Sequence, residues 1–340
     1  MIYHLTIATI AAYLQIILRE PMISAVIILI ISFAVLVWSA DKFVYGASGF
    51  ARNLGISPMI IGLTIVAMGS SAPEIMVSAN AALAGATNTS VGNAIGSNIT
   101  NILLVLGITT MVRPVLISSS TLYRELPILL GFTFIAWWIL SDDYLSFNEG
   151  IFLSVSFFAF IGFLIYLGKT TKSGSDPLLV ENEDEIPKDL STPIALMWVI
   201  IGLILLPLSS SFLVDSAVII AQYFGISELV IGLTIIALGT SLPELAASVA
   251  GVLKGEDDLA IGNVIGSNIF NILAVLGIGA LINPSEIDPA AATRDSYVMI
   301  GATLAIFIMA MSFKKSGKIN RIEGGLLFIG FIAYQIILFS

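Results

Sequence analysis

The sequence predicts an all-α polytopic membrane protein: ten transmembrane helices arranged as two inverted-topology five-helix repeats. Three observations lead there. Of 340 residues, 57% are hydrophobic and only 11% are charged, a balance typical of chains that live in bilayers. Ten stretches are apolar over the roughly 20 residues that crossing hydrocarbon requires. One block of sequence occurs twice.

The expected spans are 21–40, 58–84, 92–112, 123–140, 148–168, 194–212, 227–253, 262–283, 294–313 and 321–339. The second and seventh are long and interrupted by Gly, Ser and Pro. Residues 1–20 form a lead-in whose apolar part, 5–18, is too short to cross and reads as an interfacial helix. It has neither the basic start nor the small-residue end of a cleaved signal. Residues 21–168 make the first repeat, 169–193 an acidic linker and 194–340 the second repeat. The linker's "ENEDE" (181–185) lacks the spacing and glycine of an EF-hand loop and reads as a solvated hinge. With ten spans, all but two of the 14 Lys and Arg residues fall on the linker's side; Arg19 and Arg294 fall on the other. That bias places the linker in the cytoplasm and both termini outside.

The repeat is specific. Residues 55–107 match 225–277 at a constant offset, with 29 identities in 53 positions and no gap. Apolar composition alone would not align "GSSAPE" (69–74) with "GTSLPE" (239–244), or "GNAIGSNITN" (92–101) with "GNVIGSNIFN" (262–271). Five spans separate the copies, so the second enters the membrane from the opposite side. Such halves are related by an axis in the membrane plane, and secondary transporters place their ion site where the halves meet.

Only Glu74 and Glu244 lie deep within the expected spans; the other acids, Asp41 and Asp215 among them, fall in loops or near span ends. A carboxylate at that depth costs several kcal/mol and needs a partner. No Lys or Arg lies at comparable depth, so the partner is an exogenous cation or a proton. Pro73 and Pro243 cannot donate a backbone hydrogen bond and press on the carbonyls of Gly69 and Gly239, four residues back. Carbonyls around Ala67–Gly69 and Ala237–Gly239 are thereby expected to leave the helix ladder. Broken backbone at this depth lines a cavity, and carbonyls beside a carboxylate suit a hard cation such as Ca²⁺ or Na⁺. Ser70 and Ser71 share the helix face of Glu74, as Thr240 and Ser241 share that of Glu244. Asn93, Ser97 and Asn101 make one polar stripe; Asn263, Ser267 and Asn271 repeat it. Ser97, Asn101, Ser267 and Asn271, the deeper ones, read as ligands or their supports. Asn93, Asn98, Asn263 and Asn268 read as interhelical hydrogen-bonding groups. Gly92 with Gly96, and Gly262 with Gly266, form small-residue pairs that permit close helix contact. Two glutamates meeting at mid-membrane would balance one Ca²⁺ or two Na⁺, and mutually exclusive occupancy is the thermodynamic basis of antiport.

These paired motifs resemble the α-repeats of the cation/calcium antiporter family, specifically the prokaryotic sodium/calcium exchangers. "ISEL" (Ile226–Leu229) and "EIDP" (Glu286–Pro289) resemble its bacterial inner-membrane branch. The resemblance implies exchange of Ca²⁺ for Na⁺ by alternating access in the cell (inner) membrane, with the first and sixth helices sliding against the other eight. The family's ligands fall on Ala67, Ser70, Ser71, Glu74, Ser97 and Asn101, and on Ala237, Thr240, Ser241, Glu244, Ser267 and Asn271. Ser70 stands where Thr is frequent, and Asn271 where some relatives carry Asp. The acidic signature of the proton-coupled branch is absent, which favours sodium over H⁺; a cation/proton antiporter is the alternative.

Other classes fit less well. A channel needs a continuous polar path rather than one occluded site. No nucleophile–base set or nucleotide loop argues for an enzyme. With no cysteine and His4 as the sole histidine, a thiolate site or a histidine relay is excluded. No cofactor, nucleic-acid partner or obligatory protein partner is expected.

Overall fold

The computed structural model describes residues 21–170, 190–225, 237–311 and 317–338. Helix α1 spans Pro21–Leu54. Next come α2 (Pro58–Ser70) and α3 (Ala72–Leu83), a pair bent by 45° at their junction. Helices α4 (Thr87–Val112) and α5 (Thr121–Leu140) follow, then α6 (Phe147–Thr170) and α7 (Thr192–Tyr223). The remainder is α8 (Ala237–Thr240), α9 (Leu242–Leu253), α10 (Asp257–Ile282), α11 (Ala291–Ala310) and α12 (Arg321–Leu338). Among the described residues, eight helices are long and apolar enough to cross a membrane, or nine if the bent pair counts as one span. The expected span 227–253 lies partly outside the described residues; α8 and α9 are its visible part. The N-terminal lead-in and the "ENEDE" stretch lie outside them entirely.

Element boundaries repeat as the sequence does. Helices α9, α10 and α11 start and stop 170 residues after α3, α4 and α5. Four two-residue strands, β1 (Val115–Leu116), β2 (Tyr144–Leu145), β3 (Ser285–Glu286) and β4 (Lys318–Ile319), pair crosswise between the halves, β1 with β4 and β2 with β3. The last helix of each half packs on the third crossing of the other, α6 on α10 and α12 on α4.

Helices α1 and α7 run well past the expected ends at 40 and 212. The reason is packing beyond the hydrocarbon: Phe43, Val44, Ala47 and Ala51 continue a buried stripe at helical spacing after the apolar run stops. Hydroxyls of Ser209, Ser211 and Ser216 bond the carbonyls of Leu205, Pro207 and Phe212, so polar residues decorate α7 without ending it. Asp41 and Asp215, expected near span ends, therefore lie within continuous helices and have no capping role.

Two apolar clusters divide the molecule. The larger is built mainly by α4, α5, α6, α10, α11 and α12. The smaller joins α1 and α7 to residues of α2, α9 and α10. Among the described spans α10 is the most enclosed, with 83% of an 18-residue apolar stretch buried, and α4 follows at 72%; these two Gly/Asn/Ser-rich helices form the centre. Gly262 and Gly266 lie against α2, where an added Cβ would stand 2.7 Å from the Met59 carbonyl and 2.6 Å from the Ala67 Cβ. A Cβ added at Gly92 or Gly96 would meet no described atom within 4 Å outside its own helix turn, so the close helix contact expected of this pair is not made by the described residues.

Candidate ion site

The two breaks have the same local cause. Pro73 and Pro243 sit at the second position of α3 and α9, where a missing N–H costs nothing to the new helix but ends the old one. The junction residues Ser71 (φ −84°, ψ 6°) and Ser241 (φ −89°, ψ 4°) take the sparsely populated bridge conformation. Glu74 and Glu244 thus fall in the first turn of a new helix, and neither side chain is exposed. The dipole of a helix start favours negative charge there.

The sequence expected the carbonyls of Ala67–Gly69 to be free, and the structure differs at Ala67. Its carbonyl accepts the Ser71 N–H at 3.0 Å and the Ser70 hydroxyl at 3.3 Å. The Gly239 carbonyl, released by Pro243, accepts the Ser210 hydroxyl of α7 at 2.6 Å.

Around Glu244 the halves interlock. Ser71 Oγ donates to Glu244 Oε1 at 3.1 Å. Ser70 and Ser267 lie beside the same carboxylate, with their hydroxyl oxygens 3.4 Å apart. Glu74 is near enough for its charge to act directly on that of Glu244. Among the described residues Glu74 Oε1 and Oε2, Glu244 Oε2 and Ser241 Oγ are buried without a hydrogen-bond partner.

Asparagines hold the backbone behind each glutamate. Asn93 Nδ2 donates to the Glu74 carbonyl at 3.0 Å and to Ser78 Oγ at 2.9 Å. Asn263 Nδ2 does the same to the Glu244 carbonyl (3.3 Å) and Ser248 Oγ (3.0 Å). Asn98 reaches Met299 Sδ at 3.5 Å across to α11. The interhelical reading holds for these three. Asn268 makes no such bond among the described residues, where its amide atoms are buried.

Ser97, Asn101, Ser267 and Asn271 are all buried. Asn101 and Asn271 each open a wide π-helical turn, Asn101–Leu106 and Asn271–Leu276, a local widening that recurs at functional sites. Each turn packs on the other half's glutamate helix, Asn101–Leu106 on α9 and Asn271–Leu276 on α3. Both amide groups are buried and unpartnered among the described residues. Ser70, Ser71, Glu74, Glu244 and Ser267 are therefore gathered directly, while no hydrogen bond joins Ser97, Asn101 or Asn271 to the carboxylates. Sequence reasoning missed Ser210, Ser78 and Ser248. The two last were findable: both are serines four residues after a repeat glutamate. Ser210 has no counterpart at the equivalent position, Ala40.

The arrangement offers a hard cation two carboxylates, serine hydroxyls and amide oxygens, a donor set suited to Ca²⁺ and Na⁺ rather than to soft metals.

Comparison with known proteins gives the same picture. The family model described as "Sodium/calcium exchanger protein" matches residues 24–167 and 194–340. A protein of Alkalimonas amylolytica named "Putative antiporter CaxA" is 56% identical over 319 residues, covering 94% of this chain and 100% of that protein. The sodium/calcium exchanger MaX1 of Methanosarcina acetivorans is 30% identical, covering 92% and 98%. A solved structure of the sodium-calcium exchanger NCX_Mj superposes with a TM-score of 0.79 at 32% identity, covering 92% of this chain and 98% of that one. The resemblance carried by the repeated motifs is borne out: the chain belongs to the sodium/calcium exchanger family of cation/calcium antiporters.

Proposed function

We propose that this protein exchanges Ca²⁺ for Na⁺ across the membrane by alternating access, through one site built on Glu74 and Glu244. The observation that carries this is the pair of buried carboxylates, three of whose four oxygens have no partner among the described residues. Buried charge without a protein counter-ion calls for an ionic one. One Ca²⁺ neutralises both carboxylates, and Na⁺ ions competing for the same oxygens do so in its absence. The ligand set is Ser70, Ser71, Ser97, Asn101 and, through the lone pair the Ser71 N–H leaves, the Ala67 carbonyl in the first half, with Thr240, Ser241, Ser267, Asn271 and the Ala237 carbonyl in the second. Ten crossings in inverted halves, with both termini outside, complete the reading, and the separate apolar cluster of α1 and α7 supports their role as the sliding pair.

The test is Ca²⁺ uptake into proteoliposomes under an imposed outward Na⁺ gradient, compared with uptake under a pH gradient alone. Sodium-driven uptake supports the proposal. Uptake driven only by the pH gradient overturns it in favour of proton coupling.

A further inference from the structure

We propose that Asn263 is a positioning residue for the ion site: it fixes the Ser70 hydroxyl as a lone-pair donor to the ion and ties it to the backbone of Glu244. This rests on the reading above that Ser70 is an ion ligand. Asn263 is fully buried on α10. The Glu244 carbonyl can only accept, so the amide NH₂ of Asn263 must face α9, where it meets that carbonyl at 3.3 Å and Ser248 Oγ at 3.0 Å. Its oxygen then faces the opposite way, toward the first half, and accepts the Ser70 hydroxyl at 3.0 Å. The Ala67 carbonyl, the other acceptor hydrogen-bonded to Ser70, stands farther off at 3.3 Å.

The chemistry follows from counting. A serine hydroxyl has one hydrogen and two lone pairs. When a cation sits on the Glu244 carboxylate, the Ser70 hydrogen goes to Asn263 rather than to the longer Ala67 contact, and its lone pairs face the ion, as a cation ligand requires. A flipped amide would put N–H against Ser70, consume a lone pair and set oxygen against the Glu244 carbonyl. Asn263 thus joins the broken helix of one half to the glutamate of the other through a single side chain. Asn93, its counterpart, grips Glu74 and Ser78 in the same way.

The test is Na⁺-driven Ca²⁺ uptake by proteoliposomes carrying Asn263→Ala, Ser70→Ala or both, with thermal unfolding measured alongside. Each single variant is expected to raise the Ca²⁺ KM about tenfold, the loss of one hydrogen bond to a charged site, with the maximal rate changed less than about twofold. The double variant should have the KM of Ser70→Ala alone, because both act through one hydroxyl. Asn263→Leu, which keeps the side-chain volume, replaces the alanine variant if that fails to fold. A lowered Tm with an unchanged KM in Asn263→Ala, while Ser70→Ala raises KM, makes Asn263 merely structural and overturns the inference alone. Additive effects in the double variant overturn it too. An unchanged KM in Ser70→Ala overturns the underlying ligand reading.

Discussion

Glu74 and Glu244 occupy equivalent places in the two copies of one motif, with the same proline before them and an asparagine behind them, yet they are held differently. Glu244 receives the Ser71 hydroxyl from the other half. Glu74 is gripped only through its backbone carbonyl, and both its carboxylate oxygens lack a protein partner among the described residues. A duplicated backbone therefore does not impose duplicated side-chain roles. Among the described residues, the first half supplies the Ser71 hydroxyl to the second half's carboxylate, and no hydrogen-bond donor from the second half reaches the Glu74 carboxylate.

The largest expected effect tests the equivalence beneath that difference. On the proposed reading, Glu74→Gln and Glu244→Gln each remove one of two charges that share an ion, so each should reduce Ca²⁺ uptake by about a hundredfold or more, as unpairing a buried charge does. A variant that keeps more than about a tenth of wild-type uptake would show that the charges are not shared. The next effect sharpens the asymmetry. Ser71→Ala should raise the Ca²⁺ KM about tenfold by releasing Glu244, and Ser241→Ala should raise it less. Equal effects would mean the Ser71 bond is incidental. A third, about threefold, is the loss of uptake in Ser210→Ala, which frees the Gly239 carbonyl from α7; unchanged uptake would detach α7 from the site.

The turns after the glutamate helices repeat the lesson at the surface. Gly85 (φ 76°) and Gly255 (φ 77°) end α3 and α9 in the left-handed conformation that glycine adopts freely. The backbones match, but Ala84–Thr87 is uncharged while Lys254–Asp257 is strongly charged. Lys254 Nζ lies 2.6 Å from Asp41 Oδ1 on α1, and Asp257 lies 3.6 Å from Arg113. In the first half the place of that ion pair is taken by Thr87 Oγ1 donating to the Asn283 carbonyl at 2.8 Å. Asp41→Lys or Lys254→Asp should change uptake no more than about fivefold, because exposed pairs are weak, and combining the two should restore it. Failure of the double exchange would assign the effect to the single residues. Burial holds the Glu256 carboxyl above its usual value. A carboxyl raised in the fold stabilises below its unfolded value and loses that contribution as pH rises. Glu256→Gln should therefore raise Tm by about 2 °C at pH 7 and leave it unchanged near pH 4; a Tm shift of the same size at both pH values would rule out titration as its cause.

Much of the site was legible because membranes make charge expensive: Glu74 and Glu244 stand out of an apolar text, and duplication removes chance. Helix length was not legible. Polarity at Asp41–Lys42 marks where hydrocarbon stops, whereas packing of Phe43, Ala47 and Ala51 on α7 decides where the helix stops. The π-helical turns at Asn101 and Asn271, which pack on the opposite half, were not legible in the spacing of the polar stripe. Ser210 and Gly239 meet only because α7 crosses the break, which no linear motif encodes. Asn263 was legible as a hydrogen-bonding group but not as a link to Ser70, because a pattern shows a face and not a partner.

The most direct measurement is equilibrium binding of radioactive Ca²⁺ to the purified protein, titrated with Na⁺, in the wild type and in the two glutamine variants. A single saturable Ca²⁺ displaced completely by Na⁺, and lost in both Glu74→Gln and Glu244→Gln, is the result two shared carboxylates require. Ca²⁺ retained at wild-type affinity in either variant, or bound undiminished in saturating Na⁺, would contradict it.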